Sequence, residues 1–367
     1  MELRPPGFAT VWSVAKWADR EVFRLDAGAF ALVMATGILS NAFFADGHRQ
    51  LSDVLLVVNL AAYSILCLLM IWRIGRFKLA LGADLIDPRR VFSFFTIVAG
   101  TDVLGVGIDL RGYSVVANSM WLFALVVWLA LNYLSFSVLT VFNTVQRANI
   151  VHGGWLIAIV GTQSLVVLGA HIAPTMEDVG PAIFVLLHAL WGIGLVLYGM
   201  FITLFAQRIF LFELKARDVT PLLWVVMGAA AISANAGSTL ILYPSRLPFL
   251  ESMRPFMASV TLILWAWATW LIPLLLLLGI WKHGVSRIPV SYTPLYWSLV
   301  FPLGMYVLAS VQLSLAADFP PLRSLSHVII WIALAAWAAT GAAFILTTSW
   351  SLRNFVHSSA MRRRTNS

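Results

Sequence analysis

Ten apolar runs dominate this sequence of 367 residues and restrict the folds open to it. Each run has about 20 residues or more, the length an α-helix needs to cross roughly 30 Å of hydrocarbon. Hydrophobic residues make up 60% of the chain and charged residues 11%, whereas soluble domains carry about 25% charged residues. The sequence therefore predicts an all-α polytopic membrane protein with spans at 25–44, 52–74, 91–110, 115–141, 153–173, 181–206, 221–243, 255–281, 295–316 and 325–349.

The segments outside the spans are short. Residues 1–24 mix basic and acidic side chains and lack the apolar core of a signal peptide, so we expect a cytoplasmic arm with a short amphipathic helix near 11–23. Residues 25–350 are predicted to form the membrane domain. Residues 351–367 form a basic tail, for which anchoring to anionic lipid is the simplest role.

Basic residues lie mainly on one side of the predicted membrane domain. Ten spans place both termini on the same side, and 19 of the 24 Lys and Arg residues fall there. The loops on the opposite side hold the other five: Arg49, Arg111, Arg246, Arg254 and Arg323. Because positive loops stay in the cytoplasm, both termini are predicted to be cytoplasmic in a plasma-membrane protein. The same bias explains the net charge of +8 without a nucleic-acid partner.

Odd-numbered and even-numbered spans differ in composition. The odd spans are richer in glycine and in small polar residues, as in VGTQS at 160–164 and GAAAISANAGST at 228–239. Several even spans are bulky and lipid-like, as in LCLLMIW at 66–72. Small residues let membrane helices approach closely. The alternation predicts five helical hairpins whose odd helices form an inner ring around an axial path, with the even helices outside.

Ionisable residues are rare within the spans. Asp102 is the only acidic residue well inside one, and no Lys or Arg lies at mid-span. An anion in this region would be held weakly, by backbone N–H groups, hydroxyls and amides. Asp102 is either a proton-coupling carboxylate or a hydrogen-bonded acid away from the axis, paired with Thr101, a neighbouring amide or His188, and we favour the second interpretation. His188 is itself interpreted as a hydrogen-bonded interior histidine, with proton coupling as the alternative.

Catalytic and metal-binding patterns are missing from the sequence. Its seven histidines show no metal-ligand spacing, and it has no nucleotide-binding loop in a strand–helix context. We therefore expect no metal, no cofactor and no enzymatic activity. A membrane scaffold remains the alternative outside transport.

Five segments on odd-numbered spans carry a resemblance to a known family: FALVMATGILS (30–40), DPRRVFSFFTIVAGTDVLG (87–105), HGGWLIAIVGTQSLVVLG (152–169), TPLLWVVMGAAAIS (220–233) and YWSLVFPLGMY (296–306). In this order they resemble the tellurite-resistance/dicarboxylate transporter family. That family includes bacterial tellurite-resistance permeases, fungal malate and sulfite transporters and plant slow anion channels. The resemblance covers about residues 25–350. It implies odd helices lining a pore of quasi-fivefold symmetry, a homotrimer with one pore in each protomer, and permeation by small anions.

The resemblance also implies a phenylalanine plug on the ninth span. By motif this residue is Phe301, beside Pro302 and Gly304, where proline removes a helical hydrogen bond. Further pore candidates are small or polar residues near the middle of odd spans, and about half can face the axis because adjacent residues point about 100° apart. They are Thr36, Gly37, Thr101, Gly161, Thr162, Gln163, Ser233, Asn235 and Ser238.

Two transport functions fit these residues. An anion channel or channel-like permease is favoured by the lack of a fixed cation inside the spans and by the break at Phe301 and Pro302. A proton-coupled transporter of C4-dicarboxylates such as malate, or of sulfite, is the alternative, and Asp102 is its motivation.

Overall fold

The computed structural model describes residues 6–142, 152–176, 179–243, 245 and 247–364, and every regular element in them is helical. The helices in chain order are α1 (Pro6–Arg24), α2 (Ala31–Ala45), α3 (Arg49–Arg76), α4 (Lys78–Leu85), α5 (Phe95–Asp109), α6 (Ser114–Ser137), α7 (Ile157–Ile172), α8 (Gly180–Leu211), α9 (Trp224–Leu242), α10 (Pro248–Ser252), α11 (Arg254–Ile280), α12 (Trp297–Ala316) and α13 (Pro321–Arg364).

Ten of these helices, with the short turns that extend them, are long and apolar enough to cross a membrane. The predicted spans agree with them to within a few residues, except at the last, where α13 continues well beyond the predicted end at residue 349. The predicted amphipathic segment near 11–23 lies within α1. The connection at 143–151 lies outside the described residues.

The helices of the odd-numbered spans form a closed ring, and we call them the inner helices. In this ring α2 packs against α5, α5 against α7, α7 against α9, α9 against α12, and α12 returns to α2. In their most apolar stretches, 72–94% of the inner-helix residues are buried, against 17–39% in the even-numbered spans. The predicted division into buried odd helices and exposed even helices is therefore confirmed.

The helices of the even-numbered spans surround this ring, and we call them the outer helices: α3, α6, α8, α11 and α13. Each packs against the inner helix that precedes it in the chain and also against the next inner helix of the ring. The last, α13, contacts α12 and α2, so this pattern of outer-to-inner contacts continues around the whole ring.

Aromatic hydrogen bonds join each outer helix to the next inner helix, and we call them the inter-hairpin bonds. They pair Tyr63 Oη with Thr101 Oγ1 (3.0 Å), Trp128 Nε1 with Thr162 Oγ1 (2.8 Å), Trp191 Nε1 with the Ser233 carbonyl (3.1 Å), Trp265 Nε1 with Ser310 Oγ (2.8 Å) and Trp337 Nε1 with Thr36 Oγ1 (2.9 Å). An indole N–H within a bilayer has no water to bond, so it takes a protein acceptor. These bonds hold neighbouring hairpins in register.

A 3₁₀ turn precedes each inner helix at the end of the ring that faces the chain termini. Side chains cap two of these turns: Asp26 Oδ1 accepts from Gly28 N at 2.7 Å, and His152 Nδ1 accepts from Gly154 N at 3.0 Å. Helix N-termini carry partial positive charge. Five of them therefore make this end of the ring attractive to anions.

A buried ion cluster ties α3 and α4 to the start of the third span. Asp84 Oδ2 lies 2.6 Å from Arg73 Nη2, and its Oδ1 lies 2.7 Å from Arg90 Nη1. Arg73 lies in the last turns of α3, and its side chain is only 2% exposed. The Asp84 carboxylate makes this burial possible, because a buried charge requires a partner.

Candidate functional site

A small cavity lies between the inner helices and is lined by residues from all five of them: Ile38, Asn41, Asp102, Val103, Val106, Ser164, Val167, Ile232, Asn235, Met305 and Leu308. The space in which the centre of a water molecule could lie has a volume of about 10 Å³. A cavity needs about 10–15 Å³ on this measure to hold one water molecule. Side chains from all five inner helices therefore leave almost no free space at this level.

Asp102 is fully buried in this lining. Its Oδ2 accepts a hydrogen bond from Ser164 Oγ at 2.7 Å, and its Oδ1 has no hydrogen-bond partner among the described residues. Asp102 is thus hydrogen-bonded, but its partner is Ser164 and neither of the two named residues that the sequence suggested. Thr101 bonds to Tyr63 on α3, and His188 Nδ1 bonds to the Phe184 carbonyl of its own helix.

Two amides share the cavity with Asp102. Asn41 Nδ2 donates to the Val103 carbonyl at 2.9 Å, while Asn41 Oδ1 has no partner among the described residues. Both amide atoms of Asn235 are buried and likewise without a partner in the described part of the chain. Leaving a buried polar atom unpaired costs about 1–3 kcal/mol. Asn41, Asp102 and Asn235 therefore bring several unpaired polar atoms to one level of the ring.

Phe301 on α12 is 1% exposed. It precedes Met305 by four residues and Leu308 by seven, a spacing that puts all three on one helix face, and the latter two line the cavity. At a rise of 1.5 Å per residue, Phe301 is about 6 Å nearer the chain-termini end than Met305.

The neighbours of Phe301 fix the direction of its ring. Pro302 packs toward α9, since a Cβ on Gly228 would lie 2.8 Å from the Pro302 ring. Gly304 packs toward α2, where its Cβ would lie 2.7 Å from Ile38. Phe301 therefore sits between the two contacts that α12 makes within the ring, facing inward.

Four predicted pore residues serve the inter-hairpin bonds instead. Thr36, Thr101 and Thr162 use their hydroxyls, and Ser233 its carbonyl, to bond an aromatic side chain of an outer helix. The Ser233 hydroxyl bonds back to its own helix, to the Ala229 carbonyl. These four are therefore among the candidates whose polar groups are used in contacts between helices. Outer-helix aromatic groups need acceptors in the membrane, and the inner helices supply them.

Three other candidates also fill contacts between helices. A Cβ on Gly37 would meet Asn59 of α3, and one on Gly161 would meet Phe95 of α5. Gln163 Nε2 donates to the Trp191 carbonyl of α8 at 3.2 Å. Of the nine candidates, Asn235 lies in the cavity lining.

Ser238 and His188 are the remaining predicted residues, and they lie on α9 and α8. Ser238 is buried three residues beyond Asn235, and its hydroxyl has no partner among the described residues. His188 lies half-buried on the outer helix α8, so the structure does not bring it together with Asp102.

Asn41 and Ser164 are site residues that the sequence reasoning missed. Each is a polar residue within a small-residue span, as the chosen candidates were. Ser164 ends the VGTQS segment, and it lies two positions after Thr162. The bonding partner separates the two kinds of hydroxyl. The hydroxyls of Thr36, Thr101 and Thr162 bond a large aromatic residue on an even-numbered span. The Ser164 hydroxyl bonds Asp102 instead.

An open cleft of about 790 Å³ adjoins the chain-termini ends of α7 and α9. Its lining includes the basic residues Arg89, Arg208, Lys215 and Arg217. Arg208 is paired with Asp218, with 3.3 Å between Nη2 and Oδ2. The cleft is therefore basic on balance and lies on the side where five helix N-termini gather.

Comparison with known proteins assigns the chain to a family. Residues 24–345 match the model of a family described as voltage-dependent anion channel. The chain belongs to the voltage-dependent anion channel family. The family match spans all ten membrane helices and agrees with the resemblance carried by the five odd-span segments.

Relatives of this anion channel family member come from bacteria and archaea. A Mycobacterium tuberculosis protein named as an uncharacterized membrane protein is 38% identical over 143 residues, covering 39% of this chain and 72% of the relative. Two Methanocaldococcus jannaschii proteins named as uncharacterized transporters are 24% and 26% identical over 323 residues. They cover 85% of this chain and 91% and 90% of their own lengths.

Proposed function

We propose that the protein conducts small anions along the axis of its inner helices, as a channel or channel-like permease, with Phe301 as the gate. The observation that carries the proposal is the closed cavity, because all five inner helices contribute to it and several buried polar atoms of its lining have no partner among the described residues. Membership of an anion channel family supports the same function. We assign no catalytic role to the chain.

The charge distribution supports passage of anions from the end near the chain termini. The five helix N-termini and the basic cleft raise the local concentration of anions there. Deeper along the axis the lining is mostly apolar and carries no Lys or Arg. Weak binding of this kind allows an anion to leave as readily as it enters.

The gate is proposed from the position of the Phe301 ring. It faces the axis between two contacts that leave little space beside α12: Pro302 against Gly228, and Gly304 against Ile38. A large apolar ring at a narrow place excludes hydrated ions. Opening then requires the ring to rotate or α12 to bend at Pro302.

Replacing the ring tests this gate. Phe301→Ala in proteoliposomes should produce a constitutive anion flux that greatly exceeds the wild-type flux. Phe201→Ala is the matched control, because Phe201 is equally buried (2% exposed) but lies on the outer helix α8. Unchanged flux in Phe301→Ala, or an equal increase in Phe201→Ala, would count against the gate.

A proton-coupled transporter of C4-dicarboxylates or sulfite is the second candidate, and the placement of Asp102 in the cavity favours it. An ionised carboxylate about 4 Å from an anion repels it by about 4 kcal/mol at an effective dielectric constant of about 20. Passage therefore requires Asp102 to be the neutral acid, which links anion movement to a proton.

Asp102→Asn separates the two candidates. The amide keeps the shape of the side chain but cannot carry a proton between sides. In a proton-coupled transporter it should abolish uptake driven by a pH gradient and leave passive flux intact. A channel would show a current that reverses at the Nernst potential of the anion in both proteins. A panel of chloride, nitrate, sulfite and malate identifies the permeant species.

The assembly and its orientation complete the proposal. We propose a homotrimer in the plasma membrane, with one path in each protomer and with both termini in the cytoplasm. The apolar faces of the outer helices and the bias of basic residues toward the terminal side support it.

A further inference from the structure

A cluster of titratable side chains lies at the end of the ring that faces away from the chain termini, and we call it the distal cluster: Asp109, His171 and Tyr243. These residues lie at or just after the ends of α5, α7 and α9. Asp109 Oδ2 is 3.7 Å from His171 Nδ1, and the Tyr243 hydroxyl is 3.3 Å from the same nitrogen. Ser114 Oγ donates to Asp109 Oδ1 at 2.7 Å. Three inner helices thus meet at one imidazole.

The distal cluster is in register with the polar pair in the cavity. Asp109 follows Asp102 by seven residues on α5, and His171 follows Ser164 by seven on α7. Seven residues make almost two helical turns, so both pairs lie along one seam between α5 and α7. At 1.5 Å per residue, the two levels are about 10 Å apart.

Two valines separate these levels. Val106 on α5 and Val167 on α7 both line the cavity, and each occupies the turn between the two pairs. The cavity itself has room for about one water molecule. A small separation of α5 and α7 at the valines would connect the two levels by water. Without that separation, Asp102 has no route to solvent along this seam.

We infer that the distal cluster is the proton-exchange site for Asp102, with His171 as the group that takes the proton from solution. The proton then passes through water to the Asp102 carboxylate, which becomes the neutral acid, while His171 returns to the neutral imidazole. The inference rests on the proposed anion path. Loss of the Asp102 charge removes the repulsion of an anion in the cavity, so acid on the distal side increases flux.

Other charged side chains near the distal cluster are paired with one another. Arg111, just after α5, lies 2.6 Å from Asp53 on α3. Arg254, at the start of α11, lies 3.1 Å from Glu251. Within the distal cluster, His171 is the residue that both Asp109 and Tyr243 contact, and an imidazole can both accept and release a proton.

A second histidine cluster at the same end of the molecule supplies a control. Asp46, which follows α2, lies 2.5 Å from His327 Nδ1 and 3.1 Å from His48 Nδ1. Both histidines are about half exposed, and neither they nor Asp46 lines the cavity. A substitution of either histidine can act on flux only indirectly.

The test measures nitrate current across excised membrane patches, which keep one orientation, while the pH of each face is changed in turn. Nitrate stays ionised throughout, so any effect of pH belongs to the protein. For the wild type we expect a several-fold increase as the distal-face pH falls from about 8 to about 5, the range in which imidazoles titrate. The opposite face should produce no such increase. His171→Asn should lose the response, and His327→Asn should keep it.

Asp102→Asn should also lose the response, but with current that stays high at every pH, because the amide is always neutral. His171→Gln is a second variant in case His171→Asn fails to fold. A wild-type current that ignores distal pH, or a full response in both His171 variants, would overturn the inference and leave the anion path standing. If even Phe301→Ala carried no current at any pH, the proposed path itself would fail, and this inference with it.

Discussion

A hydroxyl group in a membrane helix can line an axial cavity or bond a neighbouring helix, and the sequence around it looks the same in both cases. Thr162 accepts the indole N–H of Trp128, and Thr36 accepts that of Trp337, so both face outward. Asn235 and Asp102 belong to similar segments yet reach the cavity. The difference lies in which atoms remain without a partner once the outer helices are in place.

The effect of replacing a glycine also depends on its position, because neighbouring atoms decide whether a Cβ fits. A Cβ at Gly153, in the turn before α7, would overlap the backbone carbonyl of Leu222 in the turn before α9. Backbone atoms there cannot move aside easily, so Gly153→Ala should lose about 1–3 kcal/mol of stability. Thermal unfolding in detergent measures the loss.

The matched control for that substitution is Gly192→Ala. Gly192 lies within α8 and has open space where a Cβ would stand. Alanine should leave stability unchanged or raise it by up to about 1 kcal/mol, because it favours the helix. Equal effects at the two glycines would contradict the close approach at Gly153.

At the scale of helices, the inter-hairpin bonds connect one hairpin to the next around the ring. Tyrosine or tryptophan on each outer helix reaches the next inner helix, and the bond from α13 to α2 joins the last hairpin to the first. Hydrogen bonds between membrane helices contribute about 0.6 kcal/mol on average and up to about 1.7 kcal/mol. Each inter-hairpin bond is therefore weak by itself, and the contacts between hairpins depend on all five bonds together.

Trp128→Phe tests one inter-hairpin bond. The variant should lose about 0.5–1.5 kcal/mol, because it removes the indole donor while keeping an aromatic ring. A double-mutant cycle with Thr162→Val isolates the coupling between the two side chains. Trp350→Phe is the control, since Trp350 is 68% exposed. Zero coupling in the cycle would show that the contact contributes nothing.

The cap on the turn before α7 gives a pH prediction. His152 accepts from Gly154 through Nδ1, and its Nε2 lies 3.1 Å from the Arg89 carbonyl. Burial lowers the pKa of His152 below its ordinary value of 6.5, so the fold favours the neutral ring. Its stabilising contribution is complete above about pH 6.5 and is lost as the pH falls through the lowered pKa.

Thermal unfolding between about pH 7.5 and pH 5 should therefore show a loss of stability that His152→Asn reduces. Asparagine also caps helices, so the variant keeps the accepting atom without the titration. His357→Asn, at an exposed site on the extension of α13, should keep the full loss. An identical pH response in His152→Asn and the wild type would exclude this cap as the cause.

At the scale of the whole molecule, a closed ring of inner helices is surrounded by the outer helices. The inner layer is polar in places and almost fully buried, whereas the outer layer exposes large apolar side chains such as Leu68, Val126 and Val196. Such surface is stable against lipid or against a second protomer. The described inner helices are buried within a single chain, which is compatible with the proposed path in each protomer.

The proposed homotrimer is tested by native mass spectrometry of the protein in mild detergent and in lipid nanodiscs. We expect three chains per particle, and each protomer should keep its own flux when mixed with Phe301→Ala protomers. Monomers under every condition would contradict the trimer while leaving the path within a protomer intact.

Much of this architecture follows from the sequence because a bilayer leaves a chain few choices. Ten apolar runs must become helices, since only a helix satisfies its own backbone without water. Their glycine content separates inner from outer spans, and the family motifs point to Phe301 on the ninth. Helix periodicity alone, however, does not say which of Thr36, Thr101 or Asn235 faces the axis.

The sequence by itself determined the number of spans, the division into two layers and the position of the phenylalanine on α12. Only the tertiary structure decided the direction of each side chain, because direction depends on which neighbour occupies the other side of the helix. Asp102 lines the cavity and bonds Ser164 of α7. Thr101, one residue earlier, bonds Tyr63 of an outer helix. Because adjacent residues of a helix point about 100° apart, one of two neighbouring side chains can line the cavity while the other packs against an outer helix.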